Sequence, residues 1–357
     1  MKKLDWYILK KYIGTFFFSI SLLILIVIVV DVSENIDSFI KNQAMFKDVA
    51  LYWYVPFIPY FINLFIYLFV FISVILFTSK MASHTEIIAI LSSGISFRRL
   101  LYPYVLGALM LAVGSFYLGN FLIPKTDAVR REFKDKYIER LTKSSGSNIH
   151  VQIERGVYVY VGNFDIKKKI AYKFSVEKFE NNEMTYKLIA DKASFDTING
   201  SWKLTNYVER SLYPGETMRR GKTMDTIMKL QPRDLYNIKE EFEVMNLFEI
   251  RDHIKSLELK GADNSLPYQI EMHKRIASPV AIIILTIIGV ALSSRKVRGG
   301  IGLNMGIGIA IAFSYVLFME FSRVFALSGA FSPLLAAWFP NILFSVVGIY
   351  FLVKAPK

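Results

Sequence analysis

The side chains of this sequence that could do covalent chemistry form no recognisable catalytic motif. Cysteine is absent and histidine occurs four times. This excludes a thiolate nucleophile and a disulfide, and it argues against a histidine-rich metal site. No G-x-x-x-x-G-K-[ST] segment occurs, so the chain has no P-loop for ATP, and H-E-x-x-H and G-x-S-x-G are also missing. The chemistry that remains is non-covalent binding by charged side chains, and we expect neither catalysis nor a cofactor.

A short segment after position 82 has the residues of a helix that could bind a partner protein. Ser83 and Glu86 have the S-x-x-E spacing of a capping box, in which the hydroxyl caps the Glu86 amide and the carboxylate reaches back to the Ser83 amide. Gly94 would end this helix. Its apolar residues would be Ile87, Ile88, Ile90 and Leu91. Such a helix fits a groove on another protein, and it could equally lie on a lipid surface.

Six basic side chains could hold an anionic ligand near one surface of a membrane. They are Lys41, Lys125, Arg130, Arg131, Lys134 and Arg323. Arginine binds phosphate through two parallel hydrogen bonds, and lysine acts as a point charge. Each of the six could equally be an ordinary interfacial anchor. Arg323 also stands three residues after Glu320, a spacing that predicts an ion pair on one helix face.

The elements that must position these side chains are membrane spans. Hydrophobic residues make up 53% of the chain, and they lie in long blocks that are almost free of charge. A span needs about 20 apolar residues to cross about 30 Å of hydrocarbon. Six blocks qualify: Tyr12–Val30, Val55–Ser79, Leu100–Ile123, Ile276–Leu292, Ile301–Met319 and Pro333–Val353. No relay of acidic residues and histidines runs along these spans, which argues against a proton- or ion-coupled transporter.

The distribution of lysine and arginine over the short loops predicts the orientation. Twelve of these residues flank one side of the spans, at the amino terminus, after the second and fourth spans, and in the carboxyl tail. The opposite short loops hold only Lys41, Lys47 and Arg323. Because cytoplasmic loops carry the excess of positive charge, both termini are predicted to be cytoplasmic. The net charge of +13 is then largely a topology signal, and a nucleic-acid partner is not expected.

The segment 124–275 must then lie outside the cytoplasm, and its pattern predicts an antiparallel β domain. Asn199 and Gly200 predict a type I′ hairpin. Strands are expected at Val157–Val161, Ala171–Phe179, Met184–Ile189, Ala193–Ile198, Ser201–Val208 and Thr223–Leu230. Seven or eight short strands at this spacing predict a sandwich or jelly roll, with the strand order left open. Apolar side chains four residues apart predict a helix over Ala128–Lys143 before the strands.

Two further features concern helix ends and helix packing. Asn246 and Glu249 are spaced as a capping box for a second helix of the outer domain, which Gly261 would end. Gly302 and Gly306 in the fifth span would let another helix approach closely. The predicted fold is a six-transmembrane-helix α bundle with an inserted extracytoplasmic β-jellyroll-like domain. Its parts are spans 1–123 with the short helix 83–94, the outer domain 124–275, and spans 276–357.

Four stretches of the sequence resemble the LptF/LptG family of lipopolysaccharide export permeases. They are LDWYILKKYIGTFFFS at the start, EIIAILSSGISFRRL after the second span, YQIEMHKRIASPVA into the fourth, and SRVFALSGAFSPLLAAWFPN between the fifth and sixth. Together with the six-span layout and the large insertion, the resemblance covers the whole chain. The opening is more similar to the LptG type, and the central domain is the least similar part.

The resemblance implies a permease subunit in the bacterial inner membrane that takes lipopolysaccharide from the outer leaflet and passes it to a periplasmic bridge. The implied partners are a cytoplasmic P-loop ATPase dimer, a second six-span permease and a periplasmic jellyroll protein anchored by one span. The family's coupling helix corresponds to residues 83–94, with Glu86 as its acidic contact to the ATPase. The family's basic lipid contacts correspond best to Lys41, which here stands beside Asn42 instead of a second lysine.

Two other classes of protein remain open from the residues themselves. A mechanotransmission protein of the ABC type would share the coupling helix, but it would signal to an external enzyme without moving lipid. A membrane-anchored enzyme of envelope lipids would need converging carboxylates, histidines or a metal site near the outer interface, and the sequence shows no such group. Co-purification with an ATPase and a second permease would support the exporter over the enzyme.

Overall fold

The computed structural model divides the chain into two compact units. One unit comprises residues 1–138 and 269–357, and the other comprises 139–268. The structure describes residues 2–138, 147–154, 156–165, 168–180, 183–197, 199–212, 215–235, 242–259, 265–295 and 300–355. Each unit has its own apolar core, so each is described by itself.

The first unit is a bundle of long apolar helices. Its helices are α1 Lys3–Lys41, α2 Phe46–Asp48, α3 Val55–Ser83, α4 Glu86–Ser92, α5 Phe97–Tyr117, α6 Ile123–Tyr137, α8 Leu266–Ser293, α9 Gly300–Leu327 and α10 Pro333–Lys354. Single π-helical segments, Val49–Tyr54 and Leu118–Leu122, join α2 to α3 and α5 to α6. Six of the resulting helices are long and apolar enough to cross a membrane, which confirms the six predicted spans.

The spans differ in how much of their surface the bundle buries. In their most apolar windows, half or more of the residues of α3 and α8 are buried, against 17% in α1 and 22% in α9. The core lies where α3 and α8 meet, with Phe71 and Val74 packed against Gly289. The helices α1 and α9 are therefore peripheral, and most of their apolar surface is left for lipid or for another chain.

Polar side chains join the spans inside this apolar core. The Asn304 amide of α9 donates to the Ser79 hydroxyl of α3 at 3.0 Å. The Tyr12 and Thr286 hydroxyls of α1 and α8 lie 3.2 Å apart. Because no water competes in such a core, these bonds fix which faces of the helices meet.

Among the described residues the second unit contains one antiparallel sheet, which confirms the predicted antiparallel β domain. Its strands are β1 Ser147–Glu154, β2 Val157–Asp165, β3 Ile170–Glu180, β4 Glu183–Asp196, β5 Ser201–Ser211 and β6 Thr217–Thr226. They pair in the order of the chain, each with the next. The predicted strands Met184–Ile189 and Ala193–Ile198 are parts of the single strand β4, so the described residues hold six strands rather than seven or eight. The strand predicted at Thr223–Leu230 has different bounds in the structure, because β6 begins at Thr217 and ends at Thr226.

The predicted hairpin at Asn199-Gly200 is confirmed, but its loop is longer than predicted. Pairing between β4 and β5 closes at Asp196 and Ser201. Gly200 has a positive φ of 62°, which a glycine adopts without strain. The connection therefore has four residues instead of the two of a type I′ turn. It is closed by the Gly200 amide, which donates to the Asp196 carbonyl at 2.9 Å, and by the Asn199 side-chain amide, which donates to the Asp196 carboxylate at 2.8 Å.

A line of irregular positions crosses the whole sheet. Val161 pairs with Phe174 and Asn163 pairs with Tyr172, so the pairing steps over Gly162 and Lys173. The same step occurs between every pair of strands. The positions stepped over are Asn148, Gly162, Lys173, Asp191, Asn206 and Lys222. Three of them, on β1, β3 and β5, have a positive φ near 55°: Asn148, Lys173 and Asn206.

This line, which we call the crease, bends the sheet around its core. Ala171 and Phe174 are both fully buried, so the inward face resumes after three residues instead of two. Tyr172 and Lys173 between them are both exposed. Two successive outward residues lengthen the outer surface of each strand, as in a β-bulge. A single meander can in this way enclose an apolar core.

The segment after β6 helps to close that core. The Trp202 side chain is fully buried, and its indole nitrogen donates to the Leu230 carbonyl at 2.9 Å. Leu230 and Leu235 are also buried in the same cluster. The short 3-10 helix Pro232–Leu235 contacts β1, the first edge strand. Residues beyond the last strand thus complete a core that six strands alone leave open.

The helices that precede and follow the strands along the chain agree in part with the prediction. Helix α7, Leu247–Leu259, begins with the predicted capping box. The Asn246 side chain accepts from the Glu249 amide at 3.0 Å, and the Glu249 carboxylate accepts from the Asn246 amide at 2.8 Å. The predicted helix Ala128–Lys143 is observed as the end of α6, up to Tyr137. Its remaining residues and the predicted stop at Gly261 lie largely outside the described residues.

Candidate functional sites at the two ends of the helix bundle

The predicted capping box at Ser83 and Glu86 is wrong. Helix α3 continues through Ser83, whose hydroxyl donates to the Lys80 carbonyl at 2.8 Å. The residue before α4 is Thr85, which has a positive φ of 62° and makes no side-chain cap. Because Ser83 still belongs to the preceding helix, its side chain cannot also cap the next one.

The apolar face of α4 points into the bundle and not toward a partner. Ile87 is 1% exposed and packs in the bundle core. Ile90 and Leu91 are half-buried against the same core. Ile88 is the large apolar side chain of α4 that faces outward, at 53% exposure. The surface that α4 offers to a partner is therefore Glu86, Ile88, Ala89 and the polar residues that lead to Gly94.

Glu86 stands at the exposed start of α4 with its carboxylate accessible. The Tyr7 hydroxyl of α1 donates to Glu86 Oε2 at 3.4 Å, a long hydrogen bond. His84 Nδ1 lies 4.0 Å from Glu86 Oε1. The Glu86 side chain is 38% exposed. The carboxylate thus keeps acceptor capacity for a cation from outside the chain.

The start of α1 is tied to the start of α5 at the same end of the bundle. Asp5 is 2% exposed, and its Oδ2 accepts from Arg99 Nη2 at 2.7 Å. It also accepts from the Lys2 amide at 2.7 Å. Arg99 lies in the first turn of α5, directly after α4. We call this end, where α1 begins and α4 lies, the α4 end.

At the opposite end, which we call the α6 end, aromatic side chains join three helices. Phe39 of α1, Trp53 of the π segment and Phe133 of α6 pack with ring centres 6.1–6.5 Å apart. The Asn42 amide donates to the Tyr137 carbonyl at 2.7 Å. Asp31 of α1 accepts from the Trp53 indole at 2.7 Å. These contacts fix the extension of α1 beside that of α6.

Arg130 lies inside this aromatic assembly. Its guanidinium carbon is 5.6 Å from the Trp53 ring centre, 5.9 Å from that of Phe57 and 4.9 Å from that of Tyr60. Its Nε lies 3.2 Å from the carboxylate of Asp127, which is 1% exposed. Aromatic faces and a carboxylate stabilise a cation. The charge of Arg130 is thus used within the chain.

The other predicted basic residues have different surroundings. Lys41 at the end of α1 and Lys125 in the first turn of α6 are exposed. Arg131 and Lys134 on α6 are half-buried and have interactions of their own. Arg323 of α9 pairs with Glu320 at 3.6 Å, which confirms the predicted ion pair. The structure therefore brings Lys41 and the α6 residues to one end of the bundle, while Arg323 is held by its neighbour on α9.

One ion pair that the sequence analysis missed lies in the first turns of α8. Arg275 Nε lies 3.0 Å from Glu271 Oε1, and the two side chains are 10% and 20% exposed. The available signal was the spacing of four residues between opposite charges just before the fourth apolar block. It was missed because α8 begins at Leu266, ten residues before the predicted span, and carries both charges into the bundle.

These features define a class of protein: a multi-pass membrane protein with a β domain inserted between its third and fourth spans and charged side chains at both ends of the bundle. Among the residues that the structure describes, no three side chains come together as metal ligands. The family model of the lipopolysaccharide export system permease LptF/LptG matches residues 6–354. The chain therefore belongs to the LptF/LptG family of lipopolysaccharide export permeases. A comparison with curated proteins finds no match.

Proposed function

We propose that the chain is the permease subunit of an ABC-type exporter that takes lipopolysaccharide from the outer leaflet of the bacterial inner membrane and passes it to a periplasmic bridge. In this arrangement the α4 end and both termini are cytoplasmic, and the β domain is periplasmic. The family assignment supports the substrate. The excess of lysine and arginine in the loops of the α4 end supports the orientation.

The observation that carries the proposal is the largely exposed middle of α1 below an exposed cation. Between Ile20 and Phe39, α1 has no buried residue. Its side chains there include Leu25 and Val29, which are 66% and 65% exposed. Lys41 follows at the end of the same helix. An apolar surface that leads to a positive charge matches a lipid with several acyl chains and phosphate groups.

The height of Lys41 above the membrane suits a lipid that is leaving the bilayer. It stands 11 residues after Val30, the end of the apolar block, which corresponds to about 16 Å of helix. The headgroup layer is only roughly 5–8 Å thick on each side. A phosphate at Lys41 therefore belongs to a lipid raised above the plane of its neighbours. Lys125, Arg131 and Lys134 lie on α6, whose last residue, Tyr137, is bonded to Asn42 beside Lys41.

The proposed partners each have a matching surface. The exposed side of α4, with Glu86 and Ile88, suits a groove of the ATPase dimer. Gly302 and Gly306 of α9 have open space in front of them, which suits close approach by a helix of the second permease. Strand β6 is an edge of the sheet and is largely exposed. That edge suits strand addition by the single-span jellyroll partner.

Site-specific photocrosslinking in the assembled complex tests the proposal. A photoreactive residue replaces Leu25, which is exposed, or Ile20, which is 1% exposed on the same helix and serves as the matched control. We expect lipopolysaccharide adducts at position 25 that depend on the ATPase and ATP, and none at position 20. Equal labelling at both positions, or labelling at 25 by bulk phospholipid alone, would contradict the exporter.

The same experiment separates the second candidate function. A mechanotransmission protein would co-purify with its ATPase through α4 and would hydrolyse ATP as a complex. Its α1 would contact bulk phospholipid, and ATP would not change the adducts at position 25. An ATP-dependent change in lipopolysaccharide adducts therefore favours export over signalling.

A further inference from the structure

The first two turns of α1 contact both sides of α4. Tyr7 places its hydroxyl on Glu86, the first residue of α4, and its ring lies edge-on to Phe77 of α3 at 6.4 Å. Asp5 is bonded to Arg99, just after α4. One short stretch of α1 thus contacts both the first residue of α4 and the first turn of the next helix, α5.

The contact between Asp5 and Arg99 is stronger than the contact between Tyr7 and Glu86. The bond between Asp5 and Arg99 is short and charged, and burial of the carboxylate shields it from water. The bond between Tyr7 and Glu86 is long, and Glu86 is partly exposed. An incoming cation can therefore replace Tyr7 at Glu86 while the Asp5–Arg99 pair stays intact.

The packing of α1 determines where a displacement at this end would go. The buried residues of α1 lie in its first half, from Asp5 to Ile20, and then again at Phe39. No residue of α1 between Ile20 and Phe39 is buried, and the segment is held by partly buried contacts, such as the packing of Ile24 on the bundle core and the hydrogen bond from the Trp53 indole to Asp31. Because α1 is one continuous helix, a movement of its first turns is passed along it to the part that faces outward.

We propose that Asp5 and Tyr7 are positioning residues that couple α4 to α1, so that movement of α4 driven by the ATPase displaces the span that faces the lipid. This rests on the proposed function, because it assigns the ATPase to α4 and the lipid to α1. It goes further by identifying the side chains through which the movement passes. The Asp5–Arg99 ion pair stays formed throughout. At Glu86, a cation of the ATPase replaces the hydroxyl of Tyr7.

The test measures lipid release per ATP hydrolysed by the complete complex in proteoliposomes. We expect Asp5→Asn to leave the ATPase bound and hydrolysing, while lipid release per ATP falls about fivefold or more. Arg99→Gln should have the same effect, the double variant should be no worse than either single variant, and Arg99→Lys should recover part of the coupling. Tyr7→Phe keeps the ring on Phe77 and should also lower the ratio. The exposed neighbour Trp6, changed to Leu, is the control.

The ratio distinguishes coupling from a merely structural role. A variant that only destabilises the complex lowers hydrolysis and release together, so an unchanged ratio in Asp5→Asn and Tyr7→Phe would overturn the proposal. Strictly additive effects of Asp5→Asn and Arg99→Gln would show that the Asp5–Arg99 ion pair does not couple α4 to α1. Failure of the proposed function has a different signature, because the parent complex would then release no lipid or would contain no ATPase.

Discussion

The Asn341 side-chain amide of α10 donates to the Ala277 carbonyl of α8 at 2.8 Å. The same side chain accepts from the Tyr315 hydroxyl of α9 at 3.0 Å. One buried asparagine thus joins the last three spans. It follows Pro340, so the helix that carries it lacks one backbone donor at the same level. This contact explains why a polar residue occupies the middle of an apolar span.

Replacing Asn341 should loosen the association of these three spans. Asn341→Leu leaves the Tyr315 hydroxyl and the Ala277 carbonyl to find other partners, and we expect a loss of roughly 0.6–2 kcal/mol in stability. Tyr315→Phe removes only one of the two bonds and should cost less. Thermal unfolding of the purified chain in detergent measures both. Ile342→Leu, at a 61% exposed neighbour, is the control. Equal melting temperatures for Asn341→Leu and this control would show that the two hydrogen bonds of Asn341 do not stabilise the last three spans.

Two glycines of α9 should respond oppositely to the same substitution. A Cβ at Gly308 would clash with Ile75 Cδ1, whereas a Cβ at Gly306 would meet nothing within 4 Å. Gly308→Ala forces the Ile75 side chain to move, and overpacking of this kind typically costs about 1–3 kcal/mol. Gly306→Ala should be neutral or slightly stabilising in the isolated chain, because alanine favours a helix. Melting temperatures that fall equally for both variants would show that the packing of α3 on α9 is misassigned.

The crease predicts a position-specific penalty for a β-branched residue. Lys173 has a positive φ of 53°, and a β-branched side chain in that conformation costs roughly 1–2 kcal/mol. Lys173→Val should therefore destabilise the β unit although valine favours strands. Lys203→Val, at an exposed position of β5 away from the crease, should be neutral or stabilising. Chemical unfolding, followed by hydrogen exchange of β3 amides, compares the two variants. Stabilisation by valine at position 173 would contradict the positive φ of this residue and therefore the crease.

Two cations at the α6 end should have separable roles. Lys41→Glu reverses an exposed charge, so we expect weaker lipopolysaccharide crosslinking at position 25 with an unchanged melting temperature. Arg130→Gln removes a guanidinium from among three rings and a buried carboxylate. It should lower stability by about 3 kcal/mol, because it removes the guanidinium that lies 3.2 Å from the buried Asp127 carboxylate. If Arg130→Gln kept its full stability and lost only contact with the lipid, the guanidinium of Arg130 would bind the lipid and not stabilise the fold.

Glu86 should matter to the ATPase through its charge and not through helix capping. Glu86→Gln keeps the size of the side chain but removes a charged hydrogen bond, which is worth about 1.5–3 kcal/mol. We expect the ATPase to co-purify more weakly while membrane insertion is unchanged. Ser83→Ala, which loses only a hydroxyl bonded to its own helix, is the control and should bind the ATPase normally. Equal retention of the ATPase by both variants would move the coupling role to Ile88 and its exposed neighbours.

Several features of the fold followed from the sequence because they depend on local composition. Six long apolar blocks can satisfy their backbone only as helices in a membrane, and all six are helices in the structure. Glu320 and Arg323 were predicted to pair because three residues bring two side chains to one helix face. The capping box at Asn246 formed because that residue lies just outside its helix. The same pattern at Ser83 failed because the preceding helix, α3, continues through it.

Only the tertiary structure decided which way the candidate side chains face. The apolar residues of α4 looked suited to a partner, but Ile87 fills the bundle core, because the turn at Thr85 lays that face against α3. Arg130 looked like the other cations, yet three rings from a distant part of the chain surround it. The pairs Asp5–Arg99 and Tyr7–Glu86 join residues 94 and 79 positions apart. No local period encodes such contacts, since they arise only when packing of the spans brings separate helix ends together.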